Sequence, residues 1–201
     1  MQKRDLREPA RDPRVAFFQG FLRHPGQVGS VIPSSRFLER RLVKIAGVAT
    51  ARTVVELGPG TGGTTRALLA AMSPDARLLS IELDRHFVAI LGAIPDRRLA
   101  VHHGHAQDIA GALASHGLAA PDVVVSGIPF STIPPRIGID IIRAVKDCLA
   151  PGGRFVAYQL RDRVGTLGRT VFGKPRVELE LLNVPPMRVY CWHKAINGAH
   201  R

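Results

Sequence analysis

Two carboxylates, Glu56 and Glu82, each end a short apolar run, and between them lies a loop made mostly of glycine, Gly58-Pro59-Gly60-Thr61-Gly62-Gly63. Glycine lets a backbone turn tightly and approach a ligand without Cβ clashes. Glu82 stands twenty residues beyond Gly62, where a carboxylate accepts ribose hydroxyl hydrogens in nucleotide-binding sheets. Each feature has a plainer use, since tight loops need glycine anyway and a strand-end glutamate is often only solvated. Together, at this spacing, they point to a nucleoside ligand. The spacing alone also fits a dinucleotide. Glu56 argues against that ligand, because a carboxylate just before the glycines repels a pyrophosphate but attracts an ammonium.

The elements that must position these groups are legible from Thr53 onward. Short β-branched runs at 54–57, 78–83, 99–103, 122–128 and 154–160 alternate with helical stretches at 64–72, 85–94, 108–117 and 135–150. Near-continuous apolar strands separated by helices predict a parallel sheet covered on both faces. Val177–Leu182 and Met187–Trp192 are joined by too short a link for a crossover and predict an antiparallel hairpin. The fold class is therefore α/β: a doubly wound, Rossmann-like, mostly parallel seven-stranded sheet with an antiparallel final strand. Ahead of it, Pro33-Ser34-Ser35 starts a helix over RFLERRLVKIA, with a serine to cap it.

A chain of 201 residues suits one core-bearing domain. Residues 51–201 carry it, and residues 1–50 form a basic, helical segment serving as a membrane or substrate lid. The formal charge of +12 calls for an anionic partner: nucleic acid, an acidic membrane face or an acidic substrate. Aromatic content of 5%, with no basic run interleaved with aromatics, speaks against a base-stacking surface, so no nucleic acid partner is expected. Cys148 and Cys191 read as two buried thiols. His102, His103 and His105 do not make a metal site, because neighbouring strand residues face opposite ways and no Cys or acid cluster completes the set. No apolar run spans a bilayer and the amino terminus is too charged for a secretory signal, which places the chain in the cytoplasm or on the inner face of a membrane.

On the segments ELGPGTG (56–62), IELD (81–84), PDVVVSGIPF (121–130) and LAPGGRFVAYQL (149–160), the sequence resembles the class I S-adenosylmethionine-dependent methyltransferases over about Thr53 to Lys194. The resemblance implies S-adenosylmethionine as cofactor and S-adenosylhomocysteine as product. It assigns Glu56, Gly58, Gly60, Thr61 and Gly62 to the methionine part, Glu82 and Leu83 to the ribose, and His105 with Ala106 to the adenine. Ser126 and Ser35 complete the cofactor set. Gly104-His105-Ala106 stands where relatives commonly carry Gly-Asp-Ala, so either His105 or the neighbouring Gln107 or Asp108 meets the ring.

Two narrower resemblances compete. The glycine loop, IELD and the Ile-Pro-Phe step are similar to the ribosomal RNA adenine dimethyltransferases, but Ser126-Gly127 replaces their asparagine. The phospholipid N-methyltransferases of soluble, peripheral type are more similar, through FFQGFLRHPGQVGSVIPSSRFLERRL (17–42), SGIPFSTIP (126–134) and NVPPMRVYCW (183–192). That resemblance implies methylation of phosphatidylethanolamine toward phosphatidylcholine at an anionic membrane. A ribosomal RNA or small-molecule N-methyltransferase is the alternative. Phe17, Phe18, Phe21 and Leu22 form a helical stripe among basic residues, which suits an interfacial helix or a lid on the core.

Methyl transfer needs a neutral amine aligned on the donor and a route for its proton. The expected catalytic set is Ile128, whose carbonyl orients the nitrogen, Phe130, packing beside it, and Tyr158, polarising the amine. Tyr158 also reads as an ordinary strand tyrosine. Pro129 and Phe18 join the substrate contacts. Arg161 and Arg163 either bind the lipid phosphate or are solvated loop charges.

Overall fold

The computed structural model describes residues 35–196. Seven strands form one sheet: β1 (Thr53–Leu57), β2 (Arg77–Glu82), β3 (Leu99–His103), β4 (Val123–Ser126), β5 (Arg154–Gln159), β6 (Arg176–Glu180) and β7 (Met187–His193). Their order is β3-β2-β1-β4-β5-β7-β6. The first five are parallel, and β7 runs antiparallel to both β5 and β6. The expected sheet and its antiparallel last strand are thus present. The order reverses between β1 and β4, where Leu57 and Ser126 end the two strands as register partners and Glu56 stands one residue earlier, opposite Val125.

Alternation along the strands divides the core. Val55, Leu57, Val124, Phe155, Ala157, Tyr190 and Trp192 face one layer, while Val54, Val123, Val125, Val156 and Val189 face the other. Helix α1 (Arg36–Ala46) lies on the second layer, burying Leu38, Leu42 and Ala46, one stripe at every fourth residue. Ser35 caps it as expected, its hydroxyl accepting from the Leu38 N–H (3.3 Å), and Gly47 ends it in the left-handed region (φ 63°). Helix α2 (Gly63–Ala71) follows the glycine loop, α3 (Arg85–Gly92) follows β2, α4 (Ile109–Ser115) follows β3 and α5 (Pro135–Cys148) follows β4.

One helix was not legible. Helix α6, Arg163–Phe172, occupies RVGTLGRTVF, whose two glycines weaken a helical reading. The reason for them is packing: a Cβ at Gly168 would fall inside the Trp192 indole, and one at Gly165 would meet the Tyr190 ring at 2.7 Å. The glycines let α6 lie directly on the β7 aromatics, where Tyr190, Trp192 and Phe155 stack at 5.7 and 5.4 Å. Cys148 is half-buried and Cys191 buried, neither in a disulfide, and burial pushes the Cys148 thiol up to about 11. Among the described residues, no helix is long and apolar enough to cross a membrane.

Candidate active site

The glycine loop is shaped by three residues with positive φ: Gly58 (66°), Gly60 (58°) and Gly62 (82°). Side chains rarely adopt that region, so the repeated glycine is a backbone requirement. The Gly58 N–H donates to the Ile81 carbonyl (3.0 Å), which carries the β1–β2 pairing into the loop. A Cβ at Gly60 would meet nothing within 4 Å, so the loop opens on a space bordered by bare main chain. Arg66 braces it from behind, its guanidinium donating to the carbonyls of Thr61 (3.1 Å) and Gly62 (3.0 Å).

Glu82 is wrapped by main-chain amides. Its Oε2 accepts from the Gly60 N–H (3.1 Å) and its Oε1 from the N–H groups of Leu83 (2.7 Å) and Asp84 (2.9 Å). Burial pushes its carboxyl above the ordinary glutamate range, against those donors. The acid therefore fixes the loop and β2 to each other. Oε2 takes one donor and keeps a lone pair for another. Residues from β3 close the same corner: the Gly104 N–H donates to the Glu82 carbonyl (3.0 Å) and the His103 ring bonds the Leu83 carbonyl (3.1 Å). His105 precedes a short 3₁₀ turn over Ala106–Asp108, half-buried at the end of β3. His102 packs edge-on against His116 at 5.6 Å.

Glu56 is placed differently from the expectation. Its carboxylate is enclosed between β2 and α2, 1% exposed, accepting from Thr65 Oγ1 (2.7 Å) and Ser80 Oγ (3.0 Å). Burial pushes it up to about 7, the two hydroxyls oppose this, and the Glu82 charge adds to it. Enclosed in this way, Glu56 supports the loop from within the fold, its carboxylate engaged by Thr65 and Ser80. A second carboxylate, unforeseen from sequence, lies nearer the loop. A Cβ at Gly63 would sit 3.0 Å from Glu39 Oε1, on the first turn of α1. Glu39 holds no hydrogen bond or ion pair among the described residues, and partial burial pushes its carboxyl up.

Across the switch point, three groups converge. A Cβ at Gly127 would sit 2.7 Å from the Tyr158 hydroxyl oxygen and 2.8 Å from the Gly58 carbonyl oxygen. Tyr158 also lies 3.4 Å from Thr64 Oγ1 on α2. Glycine at 127 is thus what lets the SGIPF loop, the glycine loop and Tyr158 meet. Ser126 is fully buried and its hydroxyl accepts from the Ile128 N–H (3.3 Å). The Ile128 carbonyl accepts from Gln159 Nε2 (2.6 Å) and from the Phe130 N–H (2.9 Å), so the end of β5 and the loop itself fix its direction. Gln159 lies in the segment LAPGGRFVAYQL, where the resemblance gives it no role; the fold brings it to Ile128.

Phe130 does not face this junction. It is fully buried in the core with Ile141, Ile142 and Leu167, and its ring abuts Gly138 of α5. It anchors the loop from behind, which corrects the expectation that it packs beside the amine. Pro129 turns the loop: its carbonyl accepts from the Thr132 N–H (3.0 Å) and hydroxyl (2.8 Å). Arg161 and Arg163 are exposed at the start of α6 and hold no ion pair among the described residues. Phe18, with the whole basic stretch before Ser35, lies outside the described residues.

Long-range side-chain bonds fix α1 to the hairpin. The Ser35 N–H donates to Asn183 Oδ1 (3.0 Å), and Arg41 bonds Glu180 (2.7 Å) and Glu178 (3.0 Å). Ser35 is therefore both cap and anchor.

No family model matches the chain. Among known proteins, the chain is 36% identical over 177 residues to an ornithine lipid N-methyltransferase of Singulisphaera acidiphila, across 87% of the chain and 92% of that protein. It is 38% identical over 95 residues to ribosomal RNA small subunit methyltransferase A of Caulobacter vibrioides, across 46% of the chain and 34% of that protein. Among solved structures, it is similar to the O-methyltransferase TomG of Streptomyces achromogenes, in complex with S-adenosylmethionine. That match has a TM-score of 0.64 and 17% identity, and covers 92% of this chain and 91% of that one. The N-methyltransferase NodS of Bradyrhizobium japonicum matches with a TM-score of 0.64 and 14% identity, over 81% of this chain and 97% of that one.

Proposed function

The chain belongs to the class I S-adenosylmethionine-dependent methyltransferases, beside the lipid N-methyltransferases, and on that premise we propose that it methylates the amine of a membrane lipid head group. S-adenosylmethionine is its cofactor. The observation that carries the lipid reading is the match along 92% of a lipid enzyme, against 34% of the ribosomal RNA enzyme. The cofactor, when bound, supplies an electrophilic methyl group on a sulfonium.

The chain's own groups fit that ligand. The bare loop at Gly60 leaves room for it, and Glu82 Oε2 keeps a lone pair for a ribose hydroxyl. Glu39 presents a carboxylate beside Gly63 for the ammonium of the methionine part, the task the sequence had assigned to Glu56. His105 and Ala106 border the adenine side. The acceptor amine sits at the Gly58–Gly127–Tyr158 junction. There the Ile128 carbonyl, held by Gln159 and the Phe130 N–H, takes the amine N–H in place of the Phe130 donor, and Tyr158 polarises the nitrogen. Its proton passes to solvent water by way of the Tyr158 hydroxyl, which stands 3.4 Å from Thr64 Oγ1. Arg161 and Arg163 take the anionic part of the head group. The stretch before Ser35, with Phe18, serves as the membrane segment and lid, holding the enzyme to an anionic inner leaflet, while Arg36–Ala46 belong to the core and not, as the sequence suggested for residues 1–50, to that segment.

Phosphatidylethanolamine presents an amine beside a phosphate, and ornithine lipid presents an amine and a carboxylate on one head group. Both fit an amine site flanked by free guanidinium groups. The name of the Singulisphaera relative puts ornithine lipid first. The test is label transfer from methyl-labelled S-adenosylmethionine to anionic vesicles holding either lipid, with ribosomal RNA as a third acceptor. Label in one of the lipids supports the reading; label in RNA alone rejects it.

A further inference from the structure

The turn between β6 and β7 is apolar where turns are ordinarily polar. Leu181 is 67% exposed, Leu182 63% and Val184 86%, and Leu179 on β6 is 53% exposed. Phe37, on the first turn of α1, is also exposed, and the bond between the Ser35 N–H and Asn183 Oδ1 brings that turn of α1 to the same tip. These apolar side chains are held outward by buried polar ones. Asn183 is 1% exposed, and its Nδ2 donates to the Pro185 carbonyl (2.9 Å). Glu180 is 4% exposed and accepts from the Leu182 N–H (2.9 Å). A hairpin whose polar residues turn inward and whose leucines turn outward is built to meet an apolar medium.

The charge around the tip says which medium. Three of the nearby carboxylates are neutralised, Glu178 by Arg41 and Arg176, Glu180 by Arg41, and Asp162 by Arg169, which leaves Glu39 on the first turn of α1 unpaired. The cations are in surplus. Arg36 and Arg40 flank Phe37, and both are exposed without an ion pair among the described residues. Arg188, opposite Leu179 in the register, donates to the Leu160 carbonyl (2.8 Å) and keeps its charge. An apolar tip ringed by unpaired cations matches the acyl-chain and head-group layers of an anionic bilayer.

We infer that the β6–β7 turn is a membrane-inserting tip that enters an anionic bilayer and seats the acceptor side of the site on its substrate. This deepens the lipid reading above and rests on it. It also gives NVPPMRVYCW a role: Asn183 shapes the turn, Val184 enters the bilayer and Arg188 meets the head groups.

The experiment places a reporter in the tip of the full chain. Leu182→Trp is mixed with vesicles of phosphatidylglycerol and phosphatidylcholine, with and without bromine on the acyl chains. The natural Trp192 is 2% exposed and serves as the unquenched background in the unaltered chain. Blue-shifted emission on vesicle addition, quenched by bromine, is the expected result. In parallel, a chain carrying both Leu181→Ser and Leu182→Ser loses about tenfold or more in vesicle affinity while its affinity for S-adenosylmethionine holds. No quenching in a variant that still binds vesicles overturns the inference. So does emission already blue-shifted without vesicles, which would mean that residues 1–34 or a second copy cover the tip. Methylation of vesicle lipid by the unaltered chain without quenching at 182 sinks the tip alone. An unaltered chain that neither binds vesicles nor labels lipid sinks the lipid reading as well.

Discussion

The donor side and the acceptor side of the site are built by different means. Around β1, β2 and β3 the contacts are main-chain: Gly58 N–H to Ile81, Gly104 N–H to Glu82, and three backbone donors on one carboxylate. Around β4, β5 and the hairpin they are side-chain contacts over long separations, such as Gln159 to Ile128, Asn183 to Ser35 and Glu180 to Arg41. A backbone site is specified by where glycine must stand, so it leaves a motif. A side-chain latch is specified by which distant residues happen to meet, and it leaves none.

The sharpest break of this contrast is Gly60→Val. A β-branched residue at a φ of 58° is strained, and its side chain enters the open space of the loop. Affinity for S-adenosylmethionine should fall by about 1000-fold or more, read by calorimetry, while the backbone strain lowers Tm by only about 2–8 °C. A loss of fold with no separate loss of affinity would remove the loop from the donor site.

Glu56→Gln tests whether the enclosed acid is part of the scaffold. Its carboxyl is raised from 4.5 to about 7, so the folded state binds the proton more tightly than the unfolded chain does. The stability this gives is full below pH 4.5 and is lost as pH rises to about 7. Glutamine keeps an acceptor for Thr65 and Ser80 and has no such loss. Denaturant melts should show the variant flat over that window and more stable than the parent at pH 8, by roughly 3 kcal/mol at most. Parallel curves for parent and variant would mean that Glu56 is not the buried acid described.

On the acceptor side, Tyr158→Phe keeps the ring and removes the hydroxyl at the junction. A fall in kcat of roughly tenfold, with donor affinity unchanged, is expected from single-turnover assays. An unchanged kcat returns Tyr158 to the role of a strand tyrosine. The smallest effect belongs to Arg41→Ala, which leaves Glu180 with only the Leu182 N–H. About 1 kcal/mol of stability is at stake for this partly exposed pair. The Arg41 guanidinium holds the Glu180 carboxyl below its usual range, so the contribution is present at neutral pH and lost as pH falls through acid values. Thermal melts at pH 7 and pH 3 should differ between parent and variant only at pH 7.

Legibility in the sequence follows the same division. Every strand and the four crossover stretches showed in the periodicity, most plainly β1, β2, β4 and β5, which are buried on both faces. Glu82 and the glycines showed because spacing and backbone need coincide. Glu56 misled because its strand-end position looks like that of a ligand group, while the alternation turns it toward Thr65 and Ser80. Phe130 misled for the opposite reason: an aromatic beside a site turned out to pack into the core. Helix α6 hid behind Gly165 and Gly168, whose purpose is visible only once Trp192 and Tyr190 are in place. Glu39 and Gln159 lie inside segments that carry the resemblance, but nothing local ties either one to the loop it reaches.

The central claim is that donor and acceptor meet where Gly58, Gly127 and Tyr158 converge. Its most direct test is a crystal structure of the full chain with S-adenosylhomocysteine and a short-chain aminolipid. The ribose is expected on Glu82, with the sulfur and the lipid amine on either side of the junction and the amine against the Ile128 carbonyl. A ribose away from Glu82, or an amine bound on the far side of the sheet from Tyr158, would contradict it.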